Sequence, residues 1–128
     1  MNYVMIIDDS NPDQFLSKLV LEENNPSIRI LQAYDGLEAL EILEKEDQQP
    51  EVIFLDINMP RMNGHEFLEA YDKKEKCGSV VVMLSSSDQN NDKEMAFKHT
   101  CVKKYLVKPL TEESIEEVNV ILSQKQNG

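Results

Sequence analysis

The chain predicts a doubly wound α/β fold, a mainly parallel sheet with helices on both faces. A short apolar run followed by a helix-like pattern recurs five times along the 128 residues. Three of the runs, Tyr3 to Ile7 (YVMII), Val52 to Leu55 (VIFL) and Val80 to Leu84 (VVVML), are apolar throughout, as strands covered on both faces must be. The other two, Ile28 to Leu31 (IRIL) and Val102 to Val107 (VKKYLV), carry Arg29 and the pair Lys103 and Lys104, which suits sheet edges with solvent contact. Alternation of this kind implies right-handed crossovers between parallel strands. Ligands then sit outside the carboxyl ends of the strands, where strand order reverses.

The segments between the runs carry helix punctuation. Asn11 followed by Pro12 reads as an N-cap with proline at the first helical position, and Phe15, Leu16, Leu19 and Val20 form one apolar stripe expected to face inward. Asp35 with Glu38 and Asn63 with Glu66 have capping-box spacing, although Ser or Thr is the norm there. Leu37, Leu40 and Leu43 supply the buried side of the second helix, and Phe67, Leu68 and Tyr71 that of the third. From Asp88 to His99 the only apolar residues are Met95, Ala96 and Phe97, so this helix is expected to be the least firmly packed. Thr111 caps the last helix, with Ile115, Val118 and Leu122 turned inward.

At this length the chain is one domain, expected to span residues 1–124, with a polar tail at 125–128. An apolar fraction of 41% and a charged fraction of 29% are those of a soluble globular protein. No apolar run approaches the ~20 residues of a membrane span. The N-terminus lacks a basic leader, and its apolar stretch stops at Asp8, which excludes a signal peptide. Cys77 and Cys101 have no CxxC neighbour and no histidine at ligand spacing, so reduced thiols in a cytoplasmic protein are expected. The net charge of −11 argues against general affinity for nucleic acid or anionic membrane. That charge is uneven, because five lysines (93, 98, 103, 104 and 108) face one acid, Glu94, between positions 93 and 108.

The chemistry lies just after the apolar runs. Asp8 and Asp9 follow the first, Asp56 the third and Ser85 the fourth, while Lys108 ends the fifth ahead of Pro109. Any single strand-end Asp is more often only a helix cap. Brought to one sheet edge, however, the carboxylates would repel one another and raise their pKa values. A hard cation resolves that conflict, and Mg²⁺ takes one or two carboxylates together with waters and phosphate oxygens. Asp56 could then act as a nucleophile toward phosphorus, with Lys108 and the Ser85 hydroxyl stabilising the transferred group.

These residues carry a resemblance. The acidic pair Asp8-Asp9, the segment DGLEAL from Asp35 to Leu40, the block LDINMPRMNG from Leu55 to Gly64, Ser85 after VVVML, and KYLVKPL together resemble the receiver domain of two-component response regulators. The resemblance covers essentially the whole chain and is of the single-domain, chemotaxis-regulator type. It implies a flavodoxin-like five-stranded sheet in the order 2-1-3-4-5 with five helices. It implies that Asp56 is the phosphoacceptor, that Asp9 and Asp56 ligate Mg²⁺ through side chains and Asn58 through its carbonyl, and that Asp8 acts mostly through water. Ser85 takes the conserved-hydroxyl role, Lys108 pairs with the phosphoryl group, and Tyr105 matches the switch aromatic. The side chains of Asn58 and Ser87 occupy positions that tune autodephosphorylation in that family.

The resemblance also implies partners: a sensor histidine kinase or histidine phosphotransfer protein as donor, and a target on the face of the fourth helix, fifth strand and fifth helix. No output domain is expected after the fifth helix. Two other classes fit less well. A phosphohydrolase resembling the haloacid-dehalogenase type needs an acid two residues after its nucleophile, and that position is Asn58. A flavodoxin-like FMN carrier needs a hydroxyl-rich phosphate loop where this chain has Asp8 and Asp9. A receiver-like module that binds partners without phosphorylation is the third alternative. Met59 and Met62 read as loop packing, and His65 and His99 as surface residues without ligand partners.

Overall fold

The computed structural model describes residues 1–74 and 77–127, with side chains through 124. Strands β1 (Tyr3–Ile7), β2 (Arg29–Ala33), β3 (Val52–Leu55), β4 (Val80–Ser85) and β5 (Val102–Val107) alternate with helices α1 (Asn11–Asn24), α2 (Gly36–Lys45), α3 (Gly64–Asp72), α4 (Asn90–Phe97) and α5 (Glu112–Asn127). The strands form one parallel sheet in the order β2-β1-β3-β4-β5. The order reverses between β1 and β3, as in doubly wound folds. Every residue of β1, β3 and β4 is buried, and β2 and β5, with their charged residues, are the edges.

Alternate residues of each strand feed opposite cores. Met5, Ile7, Ile53, Leu55, Val81 and Met83 point to the face covered by α2, α3 and α4, where Ala39, Leu43, Phe67, Leu68, Tyr71 and Ala96 meet them. Val4, Ile6, Val52, Phe54, Val82 and Leu84 point to the face covered by α1 and α5, against Leu21, Ile115 and Val118. Asn63 and Glu66 close a full capping box at the start of α3, and the Thr111 hydroxyl accepts the Ser114 N–H at the start of α5. Helix α5 continues through residues 125–127, which the sequence assigned to a tail. Among the described residues no helix is long and apolar enough to cross a membrane.

Four local expectations are corrected. Strand β2 runs from Arg29 to Ala33, not Ile28 to Leu31, because each of its residues pairs with one of β1, so the partner sets its ends. The N-cap of α1 is Ser10, whose hydroxyl accepts from Asp13 N–H, and Asn11 is already helical. The inward face of that helix is Gln14, Ser17 and Leu21, whereas Phe15, Leu16 and Leu19 are 64%, 49% and 43% exposed. Buried Gln14 is chosen for its amide: Nε2 donates to the carbonyls of Ile6, Asp8 and Ala33 at 3.2, 3.0 and 2.9 Å. Those carbonyls lie at and near the ends of β1 and β2, and buried strand-end carbonyls need a donor. In α2, Ala39 is buried where Leu37 was expected to be, and Leu37 is exposed.

Glycine is required where α3 begins. Gly64 N–H donates to the Ile57 carbonyl at 2.8 Å, and a Cβ there would overlap the Asp56 carbonyl oxygen and stand 2.9 Å from Ile57 Cα. Backbone cannot yield as a side chain can. Gly64→Ala is therefore expected to lower stability by about 2 kcal/mol or more, at the upper part of the overpacking range. At Gly36 a Cβ would meet chiefly the flexible Met62 side chain, so Gly36→Ala should have the smaller effect. Urea midpoints of the two variants give the comparison, and equal midpoints would contradict it.

Candidate functional site

The parallel ladder runs one rung beyond several strands, and that extra rung carries the polar residues. Asp8 N–H donates to the Ala33 carbonyl at 3.0 Å, Asp56 N–H to Ile7 at 2.9 Å, and Lys108 N–H to Ser85 at 2.9 Å. Backbone pairing thus fixes Asp8, Asp56 and Lys108 at the carboxyl edge before any side-chain contact is made. Carboxylate oxygens of Asp8, Asp9 and Asp56 lie within 4.8 Å of one another; Asp8 and Asp56 are buried, and Asp9 is exposed.

Lys108 stands among these acids. Its ammonium lies 2.7 Å from Asp8 Oδ2, 2.8 Å from Asp13 Oδ2 and 3.1 Å from Asp56 Oδ2, and the side chain is only 15% exposed. Burial would lower the Lys108 pKa, but hydrogen bonds to Asp13 and Asp8 and the charge of Asp56 raise it above its ordinary value. Burial pushes the Asp8 carboxyl up despite Lys108 and the Ser10 N–H. Lys108 holds Asp13 below the ordinary range. The second oxygen of Asp56 accepts from Ile57 N–H at 2.8 Å. One cation therefore serves three acids, and with Asp9 the cluster keeps an excess of negative charge facing solvent. An all-oxygen donor set of this kind, with one exposed member, fits a hard divalent cation such as Mg²⁺. Asn58, also expected at the metal, is exposed in the loop after β3.

Ser85 is fully buried, and its hydroxyl oxygen accepts Ser87 N–H at 3.1 Å. Tyr105, half-buried on β5, donates its hydroxyl to the Ser87 carbonyl at 2.8 Å. The Ser87 hydroxyl donates to Asp92 Oδ2 at 2.6 Å, and Asp92 Oδ1 lies 3.1 Å from His65 Nε2. The Ser87 hydroxyl and His65 together hold Asp92 below the ordinary carboxyl range. In the loop after β3, Arg61 at φ 63° turns back to pair with Asp35 at 2.7 Å, tying that loop to the start of α2.

Asp13 escaped the sequence reading. An acid in the first turn of the helix that follows Asp8-Asp9 was the available signal, but it also reads as an ordinary complement to the helix dipole. His65 is not a free surface residue: its side chain is 15% exposed and paired with Asp92. His99 likewise pairs through Nδ1 with Asp72, whose other oxygen lies 3.7 Å from the Cys101 thiol. Burial, reinforced by Asp72, pushes that thiol up to about 12, so it is held protonated. The basic stretch is also less open than expected. Lys108 is drawn into the acid pocket, Lys93 pairs with Asp88, and Lys104 pairs with Glu117.

The response regulator receiver domain family matches residues 4–119. Sensor histidine kinase CheAY of Helicobacter pylori is 30% identical over 115 residues, which cover 90% of this chain and 14% of that protein. Protein PilH of Pseudomonas aeruginosa is 27% identical over 125 residues, covering 96% of this chain and 99% of PilH. Among solved structures, a two component response regulator from Cytophaga hutchinsonii superposes with a TM-score of 0.85 at 26% identity, covering 97% of this chain and 98% of that one. Chemotaxis response regulator CheY4 of Vibrio cholerae gives 0.79 at 26% identity, covering 95% and 98%.

Removing the shared cation should expose the repulsion it offsets. Lys108→Met is expected to cost about 3 kcal/mol near pH 7, since buried acids lose their partner. The sign with pH follows from Asp13: its lowered pKa contributes stability above the ordinary carboxyl range, and that share is lost as pH falls through the lowered value. Asp8, raised, works in the opposite sense, favouring the fold at low pH and losing that share as pH rises through its folded value. Without Lys108 all these acids shift upward, so the gap between variant and wild type should narrow toward about pH 4, where carboxylates protonate. Urea unfolding at several pH values measures it, and a pH-independent gap would refute the account.

Proposed function

Because the chain belongs to the response regulator receiver domain family, we propose that it is a phosphorylation switch in which Asp56 accepts a phosphoryl group from a phosphohistidine donor. The observation that carries this reading is the Lys108 ammonium set between Asp56 and Asp8 beside an oxygen-only cation site. An Asp56 carboxylate oxygen attacks phosphorus, the nitrogen–phosphorus bond of the donor breaks, and the electron pair leaves with the imidazole. Lys108 then meets the phosphoryl oxygens in place of part of its carboxylate contacts, as a compact point charge can. Ser85, whose oxygen already accepts Ser87 N–H, keeps its own proton free to donate to the phosphoryl group. A Mg²⁺ held by Asp8, Asp9, Asp56 and the Asn58 carbonyl supplies charge neutralisation for those oxygens when bound.

The donor is a sensor histidine kinase or histidine phosphotransfer protein. The exposed strip of Phe15, Leu16 and Leu19, on the helix whose first turn holds Asp13, offers such a protein an apolar landing beside the pocket. The readout is the face of α4, β5 and α5, where Tyr105 and the surrounding lysines lie. A switch needs an element that phosphate biases between two states, and α4, with Ala96 as its only buried residue, is weakly held.

Incubation with Mg²⁺ and acetyl phosphate should add one phosphoryl mass to wild type and none to Asp56→Ala by intact-mass spectrometry. A wild-type shift in that variant would overturn the assignment of Asp56. Mg²⁺ at ten times its dissociation constant should stabilise the fold by about 1.4 kcal/mol. Asp9→Ala should melt above wild type without metal and lose the metal response; equal responses would dismiss the cation site. Amide-shift mapping with beryllofluoride, a mimic of aspartyl phosphate, should move residues 88–107. Changes confined to the loops around Asp9 and Asp56 would show that the signal is read elsewhere.

A further inference from the structure

We propose that His65 and Asp92 are positioning residues: with Ser87 they form a clasp that sets the Ser85 hydroxyl and the Tyr105 ring and ties α4 to α3. Ser87 has every polar group engaged. Its N–H goes to the Ser85 hydroxyl at 3.1 Å, its hydroxyl to Asp92 at 2.6 Å, and its carbonyl accepts from Tyr105 at 2.8 Å. A loop residue held at three points cannot move without moving all three partners. Asp92 is the anchor, because its second oxygen is taken by His65 Nε2 at 3.1 Å.

The histidine is committed to that contact. Nδ1 is buried with no hydrogen-bond partner among the described residues, so Asp92 is the polar group that orients the ring. Leaving a buried nitrogen unpaired is unfavourable, and the contact at Nε2 must outweigh it. Helix α4 has no side-chain N-cap and buries only Ala96. Its N-terminal half is held by polar contacts: Asp92 reaches back to Ser87 and across to His65, beside Lys93, which pairs with Asp88 and lies 5.6 Å from the Tyr105 ring centroid. Here the proposal rests on the phosphoacceptor reading. A Ser85 hydroxyl drawn toward phosphate changes the acceptor offered to Ser87 N–H, and Ser87 passes the displacement to Asp92 on α4 and to Tyr105 on β5.

The test uses the full chain as wild type, His65→Ala, His65→Gln (which retains a side-chain N–H) and Asp92→Asn, which preserves volume should His65→Ala fail to fold. Three readouts are taken: hydrogen exchange across residues 88–97, NMR shifts of the Ser87 amide and Tyr105 ring, and beryllofluoride affinity with Mg²⁺. His65→Ala and Asp92→Asn should speed exchange in 88–97 at least tenfold while β1 and β3 stay unchanged. They should also shift the Ser87 and Tyr105 signals and weaken beryllofluoride binding at least threefold, with His65→Gln restoring wild-type behaviour. Unchanged exchange and shifts would overturn the clasp. Faster exchange with Ser87 and Tyr105 unmoved would reduce His65 to a structural tie and equally overturn the positioning role. If wild type itself does not bind beryllofluoride, the phosphoacceptor reading fails, while exchange and NMR shifts of the free protein still decide the clasp.

Discussion

Lys108 places one positive charge 2.7 to 3.1 Å from Asp8, Asp13 and Asp56, and the arrangement of the sheet's carboxyl edge depends on that sharing. Three acids brought this close in a partly buried site would each favour the protonated form without a cation. With one cation for three acids, none is fully neutralised. The fold thereby keeps a standing excess of negative charge that favours divalent metal, together with a lysine whose contacts can be redistributed.

The constraint reaches into the backbone. Asp56 must stand at the end of β3 while α3 starts close against it, and only a residue without Cβ allows that approach at Gly64. Gln14 solves the matching problem on the other side, donating into the carbonyls near the ends of β1 and β2. Main-chain pairing and one buried amide thus position the residues whose charges Lys108 balances.

Away from that edge, the helices differ in how they are secured. Helices α1 and α5 bury Leu21, Ile115 and Val118, and α2 and α3 bury several large side chains. Helix α4 buries only Ala96 and makes polar contacts through Asp92 and Lys93. Hydrophobic burial is non-directional and tolerates small shifts, whereas a hydrogen-bonded chain holds or breaks at defined geometry.

Strand number, edge strands and the gathering of Asp8, Asp9, Asp56 and Lys108 were legible in the residues themselves, and the sheet order in the family resemblance they carry. Apolar runs of strand length and residues at fixed offsets after them are local patterns that chain connectivity carries into space. The inward face of α1 was not legible, because hydrophobicity pointed to Phe15, Leu16 and Leu19. That face instead carries Gln14, whose amide meets carbonyls of both β1 and β2. Nor could spacing reveal Asp13 on Lys108, Asp92 on His65 or Asp72 on His99, since each pair joins residues from different elements. The sequence by itself determined which residues stand at the carboxyl edge, because backbone pairing takes them there. Which acid each cation or imidazole meets was decided only by tertiary packing, since side-chain partners depend on distances between elements that no local pattern encodes.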